Sequence, residues 1–186
     1  YRMEGKTLGV LGVGRIGSRV VAKLQSFGFR ILGCDPYLSE KRRQALRGLE
    51  WVDVQTLFRE SDLLTIHTPL NPETRHIVNA ETLSLMKPTA CLVNTSRGGM
   101  VDMSALACAL RERKLAAAAI DVYETEPPGQ DLELFALDNA ILTPHIGWAS
   151  EEAGWEIRRS ILEDIFAAAE GRDARCVVNS IRRNPA

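Results

Sequence analysis

The chain has 186 residues, 45% of them apolar and 25% charged, the composition of an ordinary globular protein with room for one full core. Its 23 basic and 24 acidic side chains leave a net charge of −1, which argues against a nucleic-acid or anionic-membrane partner. No run is long and apolar enough to span a bilayer, and no secretory or transit peptide is visible. Tyr1 opens the chain in place of an initiator methionine, so an excised domain is expected, its upstream part lying elsewhere.

Short apolar runs alternate with amphipathic stretches. LGVLGV (8–13) predicts a buried strand, and IGSRVVAKLQSF (16–27) a helix with Val20, Val21, Leu24 and Phe27 on one face. RILGCD (30–35) is the next strand, and the basic segment SEKRRQALR (39–47) a short surface helix. LLTIH (63–67), ACLVNT (90–95), AAAAIDV (116–122) and AILT (140–143) read as strands. AETLSLM (80–86) and SALACALRERK (104–114) read as the helices between them. A long helix follows over 151–171, with Gly171 as its stop.

Strands joined by helices imply an α/β fold, a parallel sheet doubly wound with helices on both faces. The expected division is 1–150 for that domain and 151–186 for a C-terminal helix and tail. The loop at 124–139 is long, and such loops often carry function or a subunit contact. The four cysteines (Cys34, Cys91, Cys108, Cys176) are far apart and form no CxxC. Free thiols in a reducing cytoplasm are expected, with no metal site.

Gly12-Val13-Gly14-Arg15-Ile16-Gly17 is GxGxxG between a predicted strand and a predicted helix. Gly12 suits a tight turn, Gly14 a close approach of backbone to a pyrophosphate, and Gly17 close helix–strand packing. The helix N-terminus would face the phosphates. Asp35 lies 18 residues beyond Gly17, at the end of the next strand. A carboxylate there accepts ribose hydroxyls and repels a 2′-phosphate, which favours NAD over NADP. Asp-Pro is also a common turn, and both readings hold together. Arg42 and Arg43 keep NADP open but are expected on a solvated helix face.

Arg97, in VNTSRGG (93–99), follows a strand end, where ligands of open α/β sheets sit. A guanidinium there can grip a carboxylate with two parallel hydrogen bonds, and Gly98 and Gly99 leave room beside it. Glu126 and His145 follow two further strands. A histidine oriented by a carboxylate is a general acid/base near neutral pH. On residues alone, Arg97, Glu126 and His145 form a plausible trio beside the alternatives of a surface arginine, a loop acid and a core histidine. His67 and His76 are given no chemical role.

The pieces GVGRIG with Asp35, HTPLNPETRHIVN (67–79), LVNTSRGGMVD (92–102), AAIDVYETEP (118–127) and LTPHIGWAS (142–150) resemble the NAD-binding domain of the D-isomer-specific 2-hydroxyacid dehydrogenase family. The resemblance implies a Rossmann-type domain and hydride transfer between NAD(H) and a small 2-hydroxy/2-oxo acid pair. Candidate pairs include 3-phosphoglycerate, glycerate/hydroxypyruvate and lactate. It implies that Arg97 binds the substrate carboxylate and carbonyl, that His145 donates the proton, and that Glu126 is its partner. Arg15 and Ile16 would meet the pyrophosphate, Asp35 the ribose, and Thr68, Pro69, Thr95 and Ser96 the cofactor cleft. Asp121 would face the nicotinamide end and Gly147 would pack near the cofactor.

The family's N-terminal substrate-domain segment is missing from the match, so this chain alone is expected to be inactive. Family members are commonly homodimers. The helix at 151–169 would lead back to the substrate domain, leaving residues from about 179 onward the least ordered. FGFRILGCDPYLS and PHIGWAS, with Trp148, also resemble the C-terminal-binding protein branch, whose NAD-sensing corepressor-like members are the alternative. A formate or phosphite dehydrogenase on a similar fold is a third reading.

Overall fold

Alternation of apolar side chains builds the sheet of this computed structural model, which describes residues 2–175 and 177. In β1 (Thr7–Leu11), Leu8 and Val10 join one core cluster and Leu11 the other, as the period of two requires. β2 (Arg30–Cys34) repeats the pattern, with Ile31 beside Leu8 and with Leu32 and Cys34 beside Leu11. The remaining strands are β3 (Glu50–Trp51), β4 (Leu63–Ile66), β5 (Cys91–Asn94), β6 (Ala117–Ile120) and β7 (Ala140–Leu142). All neighbours pair parallel, in the order β3-β2-β1-β4-β5-β6-β7. The strand order reverses between β1 and β4, and this switch point is where open α/β sheets leave a crevice.

Helices cover both faces. α1 (Gly17–Leu24) packs Val21 into the cluster of Leu8, Val10, Val13 and Ile31. The larger cluster on the opposite face takes Leu57 and Phe58 of α3 (Val54–Glu60), Leu83 of α4 (Ala80–Leu85), and Leu106 and Leu110 of α5 (Met103–Arg111). α2 (Glu40–Ala45) buries no residue. The chain divides into two compact units, one ending at His145 and one starting at Ile146. The second carries α6 (Glu151–Ala169), capped by Ser150, whose Oγ accepts from Ala153 N at 3.0 Å. Among the described residues no helix is long and apolar enough to cross a membrane.

The elements differ from the sequence expectation in instructive places. The first helix stops at Leu24, and a 3₁₀ turn carries Gln25–Phe27 past it, leaving Phe27 half-exposed rather than on the buried face. β3 and α3 have no predicted counterpart. β3 is two residues long, too short to show alternation. α3 did carry a signal: Asp53 caps it, accepting from Thr56 N at 2.9 Å. The long loop is anchored by a 3₁₀ turn, Glu133–Ala136, whose Leu134 is fully buried. Cys34, Cys91 and Cys108 are free thiols; Cys176 and the tail from 179 lie outside the described residues.

Candidate active site

The glycine loop connects β1 to α1. Gly12 sits at φ +86°, and a Cβ there would fall 2.6 Å from Thr68 N. A Cβ on Gly17 would fall 2.0 Å from the Gly12 carbonyl oxygen, so helix and loop meet at a distance no side chain allows. A Cβ on Gly14 would meet nothing within 4 Å: the backbone there borders open space that a side chain would fill. No side chain caps α1, and no acid stands in its first turn. This end of the helix therefore offers Arg15, Ile16 and Gly17 to an anion, as a pyrophosphate requires.

Asp35 joins the loop to β2. Its Oδ2 accepts from Val13 N at 2.9 Å and its Oδ1 from Tyr37 N at 3.1 Å. A carboxylate has about four acceptor sites, so two N–H donors leave it able to take ribose hydroxyls. Gly12, Asp35, Pro36, Tyr37 and Thr68 line a cavity of about 240 Å³ over the switch point. Pro69 is exposed beside it, its carbonyl accepting from Thr74 Oγ1. Arg43 corrects an expectation: it is half-buried and donates through Nη2 to the Asp35 carbonyl at 2.6 Å, rather than lying on a solvated face.

At the end of β5 the fully buried Asn94 organises the turn that presents Arg97. Its Oδ1 accepts from Ser96 N and Ser96 Oγ, and its Nδ2 donates to the Arg97 carbonyl. Thr95 and Arg97 are exposed. Gly98 has a reason that the sequence reading misplaced. A Cβ there would lie 1.9 Å from the Tyr123 carbonyl carbon and 2.5 Å from Glu124 N. The glycine lets the β6 loop pack backbone to backbone on the β5 loop; it is not simply room left for a ligand.

That β6 loop carries Asp121, which is buried and accepts from Thr143 Oγ1 at 2.5 Å, while its carbonyl accepts from His145 N. Glu126 Oε1 accepts from Tyr123 N at 3.0 Å, and Glu126 Oε2 lies 2.7 Å from His145 Nδ1. His145 adopts φ +55°, an uncommon conformation for a residue with a Cβ. The bond to His145, the Tyr123 N–H, and the charges of His145 and Arg97 hold the Glu126 carboxyl below its usual range. Gly147 falls in the second unit.

Asn94, Tyr123 and Thr143 were not singled out from sequence. Asn94 alone had a local signal, since Asn-x-Ser after a strand suits an Asx turn. His76 pairs with Glu124 (Nε2 to Oε1, 2.6 Å), and its N–H bonds the Gly99 carbonyl, tying three loops together. Burial lowers the pKa of His67, whose Nε2 lies 3.0 Å from Thr65 Oγ1.

Residues 1–147 match the model of "D-isomer specific 2-hydroxyacid dehydrogenase, NAD binding domain". The chain belongs to this family. NAD is the cofactor of this 2-hydroxyacid dehydrogenase domain, and the open space at Gly14 together with the bare α1 N-terminus fits its pyrophosphate. The chain is 46% identical to D-3-phosphoglycerate dehydrogenase of Methanocaldococcus jannaschii over 95% of its length and 34% of the relative's. It is 44% identical to glyoxylate reductase of Aeropyrum pernix, over 95% of its length and 52% of the relative's. It superposes on D-lactate dehydrogenase with NAD+ from Lactobacillus jensenii at TM-score 0.85 and 29% identity, covering 96% of this chain and 57% of that one. The chain therefore spans between a third and somewhat over half of these relatives.

Proposed function

We propose that the chain is the catalytic cofactor domain of a dehydrogenase that interconverts a small D-2-hydroxy acid and its 2-oxo acid. The observation that carries this reading is the His145–Glu126 pair, 2.7 Å apart, on loops that follow β7 and β6, with Arg97 on the loop after β5, the strand paired with β6. Arg97 would take the substrate carboxylate through its planar fork and polarise the neighbouring carbonyl. Glu126 orients the imidazole through Nδ1, so that Nε2 serves as proton donor to the 2-oxo oxygen and as acceptor in reverse. Bound NAD(H) supplies or accepts the hydride. Asp35 and the glycine loop bind and align the adenosine and pyrophosphate, and Thr68, Pro69, Thr95, Ser96 and Asp121 are assigned to the cofactor cleft.

The relatives' names support phosphoglycerate, glyoxylate or hydroxypyruvate chemistry as the substrate class. Their greater length places the test in the whole protein that contains this chain. NADH oxidation is measured there with 3-phosphohydroxypyruvate, hydroxypyruvate, glyoxylate and pyruvate. On the best substrate, His145→Gln is expected to lose about 10²–10⁴-fold in kcat with little change in NADH affinity. Arg97→Lys is expected to raise KM sharply, because an ammonium lacks the fork. Near-wild-type turnover by His145→Gln would favour the NAD-sensing, corepressor-like alternative instead.

We also propose association as a homodimer. Exposed apolar residues on α6, among them Trp155, Ile161, Leu162, Ile165 and Phe166, support a protein partner. Light scattering over a concentration series is expected to show a dimer; a monomer throughout would remove this part of the reading.

A further inference from the structure

A second cavity, of about 650 Å³, is lined by Asp35, Pro36, Arg43, Trp51, Asp53 and Val54 among others. Arg43 lines this cavity from α2, a six-residue helix none of whose residues is fully buried. Its Nη2 donates to the Asp35 carbonyl at 2.6 Å, and its guanidinium lies 5.1 Å from the centre of the Trp51 ring on β3. Its Nε is buried without a hydrogen-bond partner.

We propose that Arg43 is a positioning residue for Asp35, and that through Asp35 it sets the preference for NAD(H) over NADP(H). The proposal rests on the reading of Asp35 as the ribose ligand. The Asp35 side chain is held by Val13 N and Tyr37 N, one donor to each carboxylate oxygen. The Asp35 backbone is held by Arg43, which is itself braced on Trp51. The direction of the carboxylate therefore depends on both supports. Without Arg43 the Asp35 carbonyl keeps only the long bond from Leu38 N, at 3.4 Å, while the carboxylate keeps Val13 N and Tyr37 N. A ribose ligand out of place costs NADH its hydroxyl contacts, and it also relaxes the repulsion that a 2′-phosphate meets.

An arginine near this position could instead bind the 2′-phosphate directly, and the two roles predict opposite signs. If Arg43 acts through Asp35, Arg43→Met weakens NADH more than NADPH, and the ratio Kd(NADPH)/Kd(NADH) falls. A loss of about tenfold in NADH affinity is expected, by analogy with metal sites, where removing the partner that orients a ligand side chain costs about that much or more. If Arg43 were a phosphate ligand, the ratio would rise.

The measurement is a fluorescence titration of this chain with NADH and with NADPH. It compares wild type, Arg43→Met, Asp35→Asn and the double variant, with thermal melts confirming that each is folded. In the Asp35→Asn background, Arg43→Met is expected to leave the ratio unchanged, because the two residues act as one unit. Arg43→Lys, which keeps a charge and one donor but not the stacked fork, is expected to fall between wild type and Arg43→Met. It carries the test alone should Arg43→Met fail to fold. An unchanged or rising ratio in the single variants, or the same factor in the Asp35→Asn background, overturns the proposal. A wild type that binds neither cofactor overturns the ribose reading and this inference with it; NADH binding with an unmoved ratio overturns the inference alone.

Discussion

Glu126 shows how one side chain is tuned by its contacts. The bond to His145, the Tyr123 N–H and the charges of His145 and Arg97 all favour the carboxylate. Its folded pKa therefore lies below the unfolded value of about 4.3. A depressed carboxyl contributes stability that is fully present above the unfolded pKa and is lost as pH falls through the folded one. Carbon-detected titration of the side-chain carboxyl is expected to place Glu126 below an exposed glutamate of the same chain, and His145→Gln should move it up. A midpoint at or above about 4.3 in wild type would contradict the pairing. Burial works the other way on the thiols of Cys34 and Cys91, raising both because it disfavours the charged thiolate.

At the scale of elements, loop stacking at the carboxyl edge decides whether Arg97, Glu126 and His145 meet. The β5 loop is wedged between the β4 loop, through His76 N and Gly99 O, and the β6 loop, through the bare face of Gly98. Two neighbouring glycines make a clean comparison. A Cβ at Gly98 meets backbone at 1.9 Å, whereas one at Gly99 meets the end of the Leu70 side chain at 3.0 Å, which can swing away. Gly98→Ala is expected to destabilise by about 1–3 kcal/mol, the usual cost of overpacking, and to lower turnover by shifting Glu126. Gly99→Ala should be milder on both measures. Denaturant melts of the two variants, with turnover of the whole protein, check this; equal effects would mean that the close approach at Tyr123 is not what requires glycine.

Across the whole first unit, a parallel sheet with helices on both faces buries its strands from both sides, and the larger cluster extends from α3 to α5. Phe58 is fully buried there, on a helix that no periodic pattern announced. Phe58→Ala is expected to cost about 3–5 kcal/mol in denaturant unfolding. A loss near zero would mean that α3 is not part of the cooperative core. The same architecture places the glycine loop, the Asp35 turn and the β4 loop around the reversal between β1 and β4, which is why residues far apart in sequence converge there.

The sequence by itself determined the strand-and-helix alternation, the glycine loop with Asp35, and Arg97, Glu126 and His145 as strand-end residues. These are local signals: apolar period, glycine spacing, and charged residues just beyond apolar runs. It did not show that Asn94 builds the Arg97 turn, that Thr143 bonds Asp121, that His76 braces Glu124, or that Arg43 turns inward onto Asp35. The Asn94 turn is local, but only the tertiary structure decided the other three, because each is a contact between elements whose side chains look like ordinary solvated polar groups until parallel pairing brings the strand ends to one edge. Gly98 marks the division most plainly. Its presence is legible in VNTSRGG, but its reason is the backbone of Tyr123, 25 residues further along the chain.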